Sequence, residues 1–189
     1  MDKIPEDMRA FIDLRIREGF DSVHEIIESA SHYALETLER SNLRTEINRV
    51  VADSLVKYRA EQGTWGSLTD CDRLDKAFAS LNCQGIVARQ NFSCCNNCGF
   101  TEIWDEVEQE EKHQSIEGYV FYHLQFTERA IKTGQLLLAY GCIEEEETDL
   151  TRVANRIVVE LRRFGLDAKW QGSADYPIIV ENIMWQKRR

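Results

Sequence analysis

The stretch GIVARQNFSCCNNCGF, Gly85 to Phe100, is where the chain changes character. Before it, apolar residues recur at helical spacing. From Gly85 onward, short apolar runs alternate with helical segments. IVARQNF, residues 86–92, has the apolar start of a buried strand, and a turn with three cysteines in five positions follows it directly.

Upstream, Pro5 suits a first helical position and Gly19 a stop. Asp21 is placed to cap a second helix, with Val23, Ile26, Ile27, Ala30, Ala34 and Leu38 on one stripe. Ser41 is placed to cap a third, with Leu43, Ile47, Val50, Val51, Leu55 and Tyr58 facing inward and Gly63 closing it. Thr69 followed by Asp72 predicts a shorter helix whose inner positions are Cys71, Leu74, Phe78 and Leu81. Residues 1–84 thus read as a helical bundle of about four helices.

Downstream, Phe100, Ile103, Trp104 and Val107 fit the i, i+3, i+4, i+7 rule of a helix. GYVFYHLQ, residues 118–125, is aromatic and β-branched and predicts a strand. A short helix from Thr127 to Lys132 leads to LLLAYG, residues 136–141, an apolar run suited to a buried strand. Leu150, Val153, Ala154, Ile157, Val158, Leu161 and Phe164 line one face of a further helix, and Gly165 supplies its stop. AKWQ and IIVENIMW then predict a C-terminal hairpin. Residues 85–189 read as a mixed sheet with helical crossovers, and the whole as an α+β or α/β protein forming one compact unit.

Charge narrows the function classes. The chain holds 23 Lys and Arg against 33 Asp and Glu, a net charge of −10. Residues 1–90 carry 12 basic and 16 acidic groups and residues 91–189 carry 11 and 17, so neither half is basic. Binding to a phosphate backbone depends on clustered Lys and Arg, so no nucleic-acid partner is expected. No apolar run approaches the roughly 20 residues of a membrane helix, so no membrane partner is expected either. MDKIPEDMRAF lacks the basic start and apolar core of a signal peptide, which predicts a cytoplasmic protein with reduced cysteines. The acidic run Glu144–Glu147 reads as a solvated loop ahead of a helix.

Cys95-Asn96-Asn97-Cys98-Gly99 has the spacing at which two thiolates reach one metal ion across a tight turn. Gly99 is expected to leave that turn through positive φ. The turn resembles half of a zinc ribbon, although no second C-x-x-C and no paired histidine motif accompanies it. Remote groups are candidates to complete it. If the strands run parallel, their ends bring Cys94, Cys95, Cys98, His123 and Cys142 to one edge of the sheet. The same C-x-x-C after a strand resembles a thioredoxin-like redox site, in which a helix N-terminus stabilises a thiolate. Against that, Gly99 is expected to interrupt such a helix, and Pro5 and Pro177 are the only prolines. Metal, redox and plain packing remain open readings of the turn. His24, His32 and His113 read as solvated, and Cys71 and Cys83 as structural.

DCDRLDKAF…LNCQGIVARQNFSCCNNCG, then GYVFYH, LLLAYG and the closing W…RR, together resemble a bacterial family known as a domain of unknown function. The likeness covers residues 65–189. It implies a soluble bacterial protein and assigns no activity and no catalytic residue. RLDKAFASLNCQGIVAR also resembles the end of a winged helix, against which the acidic balance speaks. The expectation is a binding or interaction module for a protein or small-molecule partner, with zinc in its cysteine turn. The alternative is a thiol-disulfide oxidoreductase using Cys95 and Cys98.

Overall fold

The computed structural model describes residues 4–35, 42–144 and 147–189. It divides into two compact units, Met1–Ser67 with Gln186–Arg189, and Leu68–Trp185. The first contains α1 (Glu6–Glu18), α2 (Val23–Leu35) and α3 (Leu43–Gln62). Met8, Ile12 and Ile16 of α1, Ile26 and Ala30 of α2 and the α3 stripe from Leu43 to Tyr58 form its core. Tyr58 is buried, and its hydroxyl donates to the Lys187 carbonyl at 2.7 Å, which ties the last residues of the chain to α3. The cap of α2 is Ser22 rather than Asp21. Its hydroxyl accepts from the Glu25 N–H while the Glu25 carboxylate accepts from the Ser22 N–H. Ser41 and Leu38 lie outside the described residues.

The second unit begins with α4 (Asp70–Cys83), which the sequence groups with the preceding helices. Thr69 and Asp72 form the reciprocal capping box that their spacing predicts. There follow β1 (Ile86–Arg89), α5 (Asn96–Glu111), β2 (Gly118–Phe121), α6 (Leu124–Thr133), β3 (Leu136–Cys142), α7 (Glu147–Arg163), β4 (Asp167–Lys169) and β5 (Ile178–Glu181). The strands make one mixed sheet in the order β1-β2-β3-β5-β4. With seven helices and five strands among the described residues, helices first and strands later, this is an α+β fold. The C-terminal hairpin is present as the antiparallel β4–β5 pair.

Alternation along the strands separates the two faces of the sheet. Val87, Tyr119, Phe121 and Ala139 pack with Ile103 and Val107 of α5. On the other face Phe78 of α4 meets the Tyr122 ring edge-on, and a Cβ on Gly118 would stand 2.8 Å from Val153 of α7. The α7 stripe is as predicted in its centre, with Val153, Ala154, Ile157, Val158 and Leu161 buried and Leu150 and Phe164 at its margins. Ile103 and Val107 are buried on α5, whereas Phe100 and Trp104 remain substantially exposed.

One expectation about strand direction is overturned. β1 and β2 are parallel, but β3 runs antiparallel to β2, pairing Gly118 with Cys142 and Phe121 with Ala139. The connection, residues 122–135, is the ten-residue α6 with Tyr122 and His123 before it and Gly134 and Gln135 after it. It delivers the chain to the sheet at the end where β2 stops, so β3 starts there and runs back along β2.

Candidate functional site

The cysteine turn lies where β1 passes into α5. Tyr122 N–H donates to Arg89 O at 3.3 Å and Phe92 N–H to Tyr122 O at 2.8 Å, so pairing with the β2 segment outlasts the strands. Leu124 N–H then donates to Ser93 O at 3.3 Å, and the Thr127 hydroxyl to Asn91 Oδ1 at 2.8 Å. Residues 91–93 are thereby strapped along the start of α6. Asn91 and Ser93 both take positive φ, 47° and 63°. Asparagine tolerates that region better than most residues, whereas serine enters it at a cost.

Cys95 is the N-cap of α5, in extended conformation, and Asn96, Asn97 and Cys98 form the first turn. The helix therefore starts immediately after the first cysteine of the pair, four residues earlier than the Phe100 pattern indicates. Gly99 lies inside this helix and is not among the positive-φ glycines, which corrects the expectation that it would leave a turn in left-handed conformation. Its requirement is spatial. A Cβ at Gly99 would stand 2.4 Å from Cε2 and 2.8 Å from Cζ of Phe121, a side chain with no exposed surface. Glycine lets the first turn of α5 lie directly on that ring.

The turn gathers Cys94, Cys95 and Cys98 with their sulfurs all within 4.8 Å of one another, a group that can hold a metal ion. Cys94 is exposed, and Cys95 and Cys98 are half-buried. The environment separates the last two. The main influence on Cys95 is the backbone N–H of Cys98, an orphan donor of the first helical turn. Although short of full N-cap hydrogen-bond geometry, it favours the thiolate and lowers the Cys95 pKa. Cys98 is pushed up to about 11, first by its hydrogen bond to Cys94 and then by that to Cys95. One thiol is thus poised to ionise and its neighbour to keep its proton.

The two remote candidates fare differently, and neither belongs to the 4.8 Å group. Cys142 pairs with Gly118 at the start of β2, the end of the sheet opposite the turn, because β3 is antiparallel. Its thiol donates to Glu144 O at 2.7 Å, and burial raises its pKa. His123 lies two residues past the end of β2 and forms the N-cap of α6. It is 1% exposed, its ring lies tilted against Phe126 with centroids 3.9 Å apart, and neither ring nitrogen has a hydrogen-bond partner among the described residues. Burial lowers its pKa, so the neutral imidazole is favoured. A buried polar group left unsatisfied costs about 1–3 kcal/mol.

The whole chain, residues 1–189, matches the family described as Domain of unknown function (DUF6891). The chain belongs to this family. Comparison with curated proteins and with solved structures gives no match in either case. In this DUF6891 member no helix among the described residues is long and apolar enough to cross a membrane. Sequence reasoning found all three clustered cysteines but not what holds them in place. Phe121, Ser93 and Asn91 carry no motif, and only Asn91, a residue type tolerant of positive φ, gives a local sign of the sharp approach to α5.

Proposed function

We propose that this DUF6891 member is a binding or interaction module whose cysteine centre holds a zinc ion in the reducing cytoplasm. The observation that carries the reading is the approach of the Cys94, Cys95 and Cys98 sulfurs to within 4.8 Å of one another at the head of α5. Thiolates about 2.3 Å from a tetrahedral zinc lie somewhat closer to each other than that, so a small contraction of one turn suffices. Metal would join Cys94, the extended Cys95 and the first turn of α5 into one rigid corner beside the exposed Phe100 and Trp104 rings. Elemental analysis of the purified protein tests this. One zinc per chain and a melting transition lowered by chelator support it, whereas no metal and an unmoved transition refute it.

A second reading rests on a separate observation, the N-cap position of Cys95 with Cys98 three residues into the helix. That is the arrangement in which a helix N-terminus sustains an attacking thiolate. The helix starts at the pair without interruption, so the expected objection from Gly99 does not apply. In this reading the Cys95 thiolate attacks a partner disulfide. Cys98 then gives up its proton and displaces the reduced partner, leaving a Cys95–Cys98 disulfide. Equilibration with glutathione mixtures separates the readings, because only a redox pair cycles reversibly with a defined potential while zinc is withheld.

A further inference from the structure

Three thiolates leave one position of a tetrahedral metal ion to be filled, and the described residues contain a buried side chain without an alternative task. His123 is 1% exposed with both ring nitrogens unpartnered, although buried imidazoles ordinarily place at least one of them in a hydrogen bond. Its backbone is extended, with φ −105° and ψ 175°. Tyr119 and Phe121 face α5, and Tyr122 faces α4, so strand alternation assigns position 123 to the α5 face. That is the face on which Gly99 brings the first turn of α5 against Phe121. The hydrogen bonds from Phe92 to Tyr122 and from Leu124 to Ser93 bracket residue 123 and hold its backbone beside the segment leading into Cys94.

From these placements we infer that His123 is the fourth ligand of the cysteine centre, making it a Cys3His site for zinc or a similar thiophilic divalent cation. The inference rests on the proposed metal reading and deepens it. The imidazole stands outside the 4.8 Å group, so ligation brings the turn and the ring together. Asn91 and Ser93, both at positive φ, flank the short stretch through which that adjustment passes. Binding would give a ring nitrogen the partner it now lacks. The other nitrogen would be left to carry the proton, as in neutral metal-bound imidazole. The metal would also join three pieces of the fold, the segment that follows β1, the head of α5 and the head of α6. A ligand drawn from α6 would make the centre a clamp across the sheet edge rather than a local knuckle.

X-ray absorption on the zinc-loaded full chain tests the assignment without any substitution. Three sulfurs near 2.3 Å and one nitrogen near 2.0–2.1 Å, with the outer-shell scattering of an imidazole ring, are expected. Three sulfurs and an oxygen without ring scattering would overturn the assignment while leaving the three-cysteine centre intact. Failure of the wild-type chain to bind zinc at all would instead remove the reading beneath it. His123→Gln provides the second arm. The variant, shown to be folded by circular dichroism, should lose more than the roughly 10–100-fold affinity lost when only an outer-shell partner of a ligand is changed. Unchanged zinc affinity in that variant would contradict the assignment.

Discussion

Replacing Gly99 with alanine isolates the contact that seats the cysteine turn on the sheet. The added Cβ would meet Phe121 Cε2 at 2.4 Å, Cζ at 2.8 Å and Cδ2 at 3.2 Å. Favourable carbon contacts lie near 3.5–4.0 Å, so the closest approach is short by about 1.1–1.6 Å. The Phe121 ring cannot simply swing aside. It is fully buried, with Phe92 and Phe100 edge-on to it at centroid distances of 5.9 and 5.2 Å. Overpacking of this kind costs about 1–3 kcal/mol, and alanine returns up to about 1 kcal/mol of helix propensity. The size of the overlap favours the upper part of the difference, a net loss of about 1–2 kcal/mol. Urea melts of the metal-free chain measure it. Phe121→Leu removes the far ring atoms that the Cβ meets, so Gly99→Ala should cost at least about 1 kcal/mol less in that background. A Gly99→Ala chain as stable as the wild type would refute the spatial account of this glycine.

Three other outcomes follow from the same structure. Leu161 has no exposed surface in the centre of the α7 stripe, so Leu161→Ala should cost about 2–5 kcal/mol in a denaturant melt. A loss below about 0.5 kcal/mol would show that the site collapses freely around the missing atoms. Zinc affinity should rise with pH, because Cys98, with its pKa pushed up to about 11, holds a proton at neutrality that metal binding must release. This thiol alone contributes up to about tenfold per pH unit between about pH 6 and pH 8, and a flat competition titration would mean that Cys98 is not a ligand. Cys142→Ser should leave zinc stoichiometry and affinity unchanged, since Cys142 lies at the opposite end of β2 from His123. A loss of metal in that variant would contradict the antiparallel direction of β3.

What the sequence disclosed depended on how local the cause was. The α7 stripe and the Thr69–Asp72 capping box were legible because one helix or one turn contains all the residues involved. Leu137 lies on a strand as its apolar run predicts, but it is only half-buried, because the run does not tell which face is covered. The direction of β3 is set by the end of the sheet at which α6 delivers the chain. GYVFYHLQ hides that point, since its strand-like composition continues past the last strand residue, Phe121, into the helix start at Leu124. Gly99 was recognisable as necessary, but its neighbour Phe121 lies twenty-two positions away and only the tertiary fold brings the two together. The three-cysteine group was legible for the opposite reason, being confined to residues 94–98. Spacing likewise put Phe100 and Trp104 on the apolar stripe of α5 with Ile103 and Val107, although their rings stay substantially exposed beside Tyr119.

Native mass spectrometry combined with thiol alkylation tests the central claim most directly. The account predicts one zinc per chain at neutral pH, with Cys94, Cys95 and Cys98 protected from iodoacetamide while the exposed Cys83 reacts. Chelation should release the protection at all three positions together, with Cys95 the fastest to react because its thiolate is favoured. A chain that carries no zinc, and whose exposed Cys94 is alkylated as readily as Cys83 whether or not zinc is supplied, would contradict it.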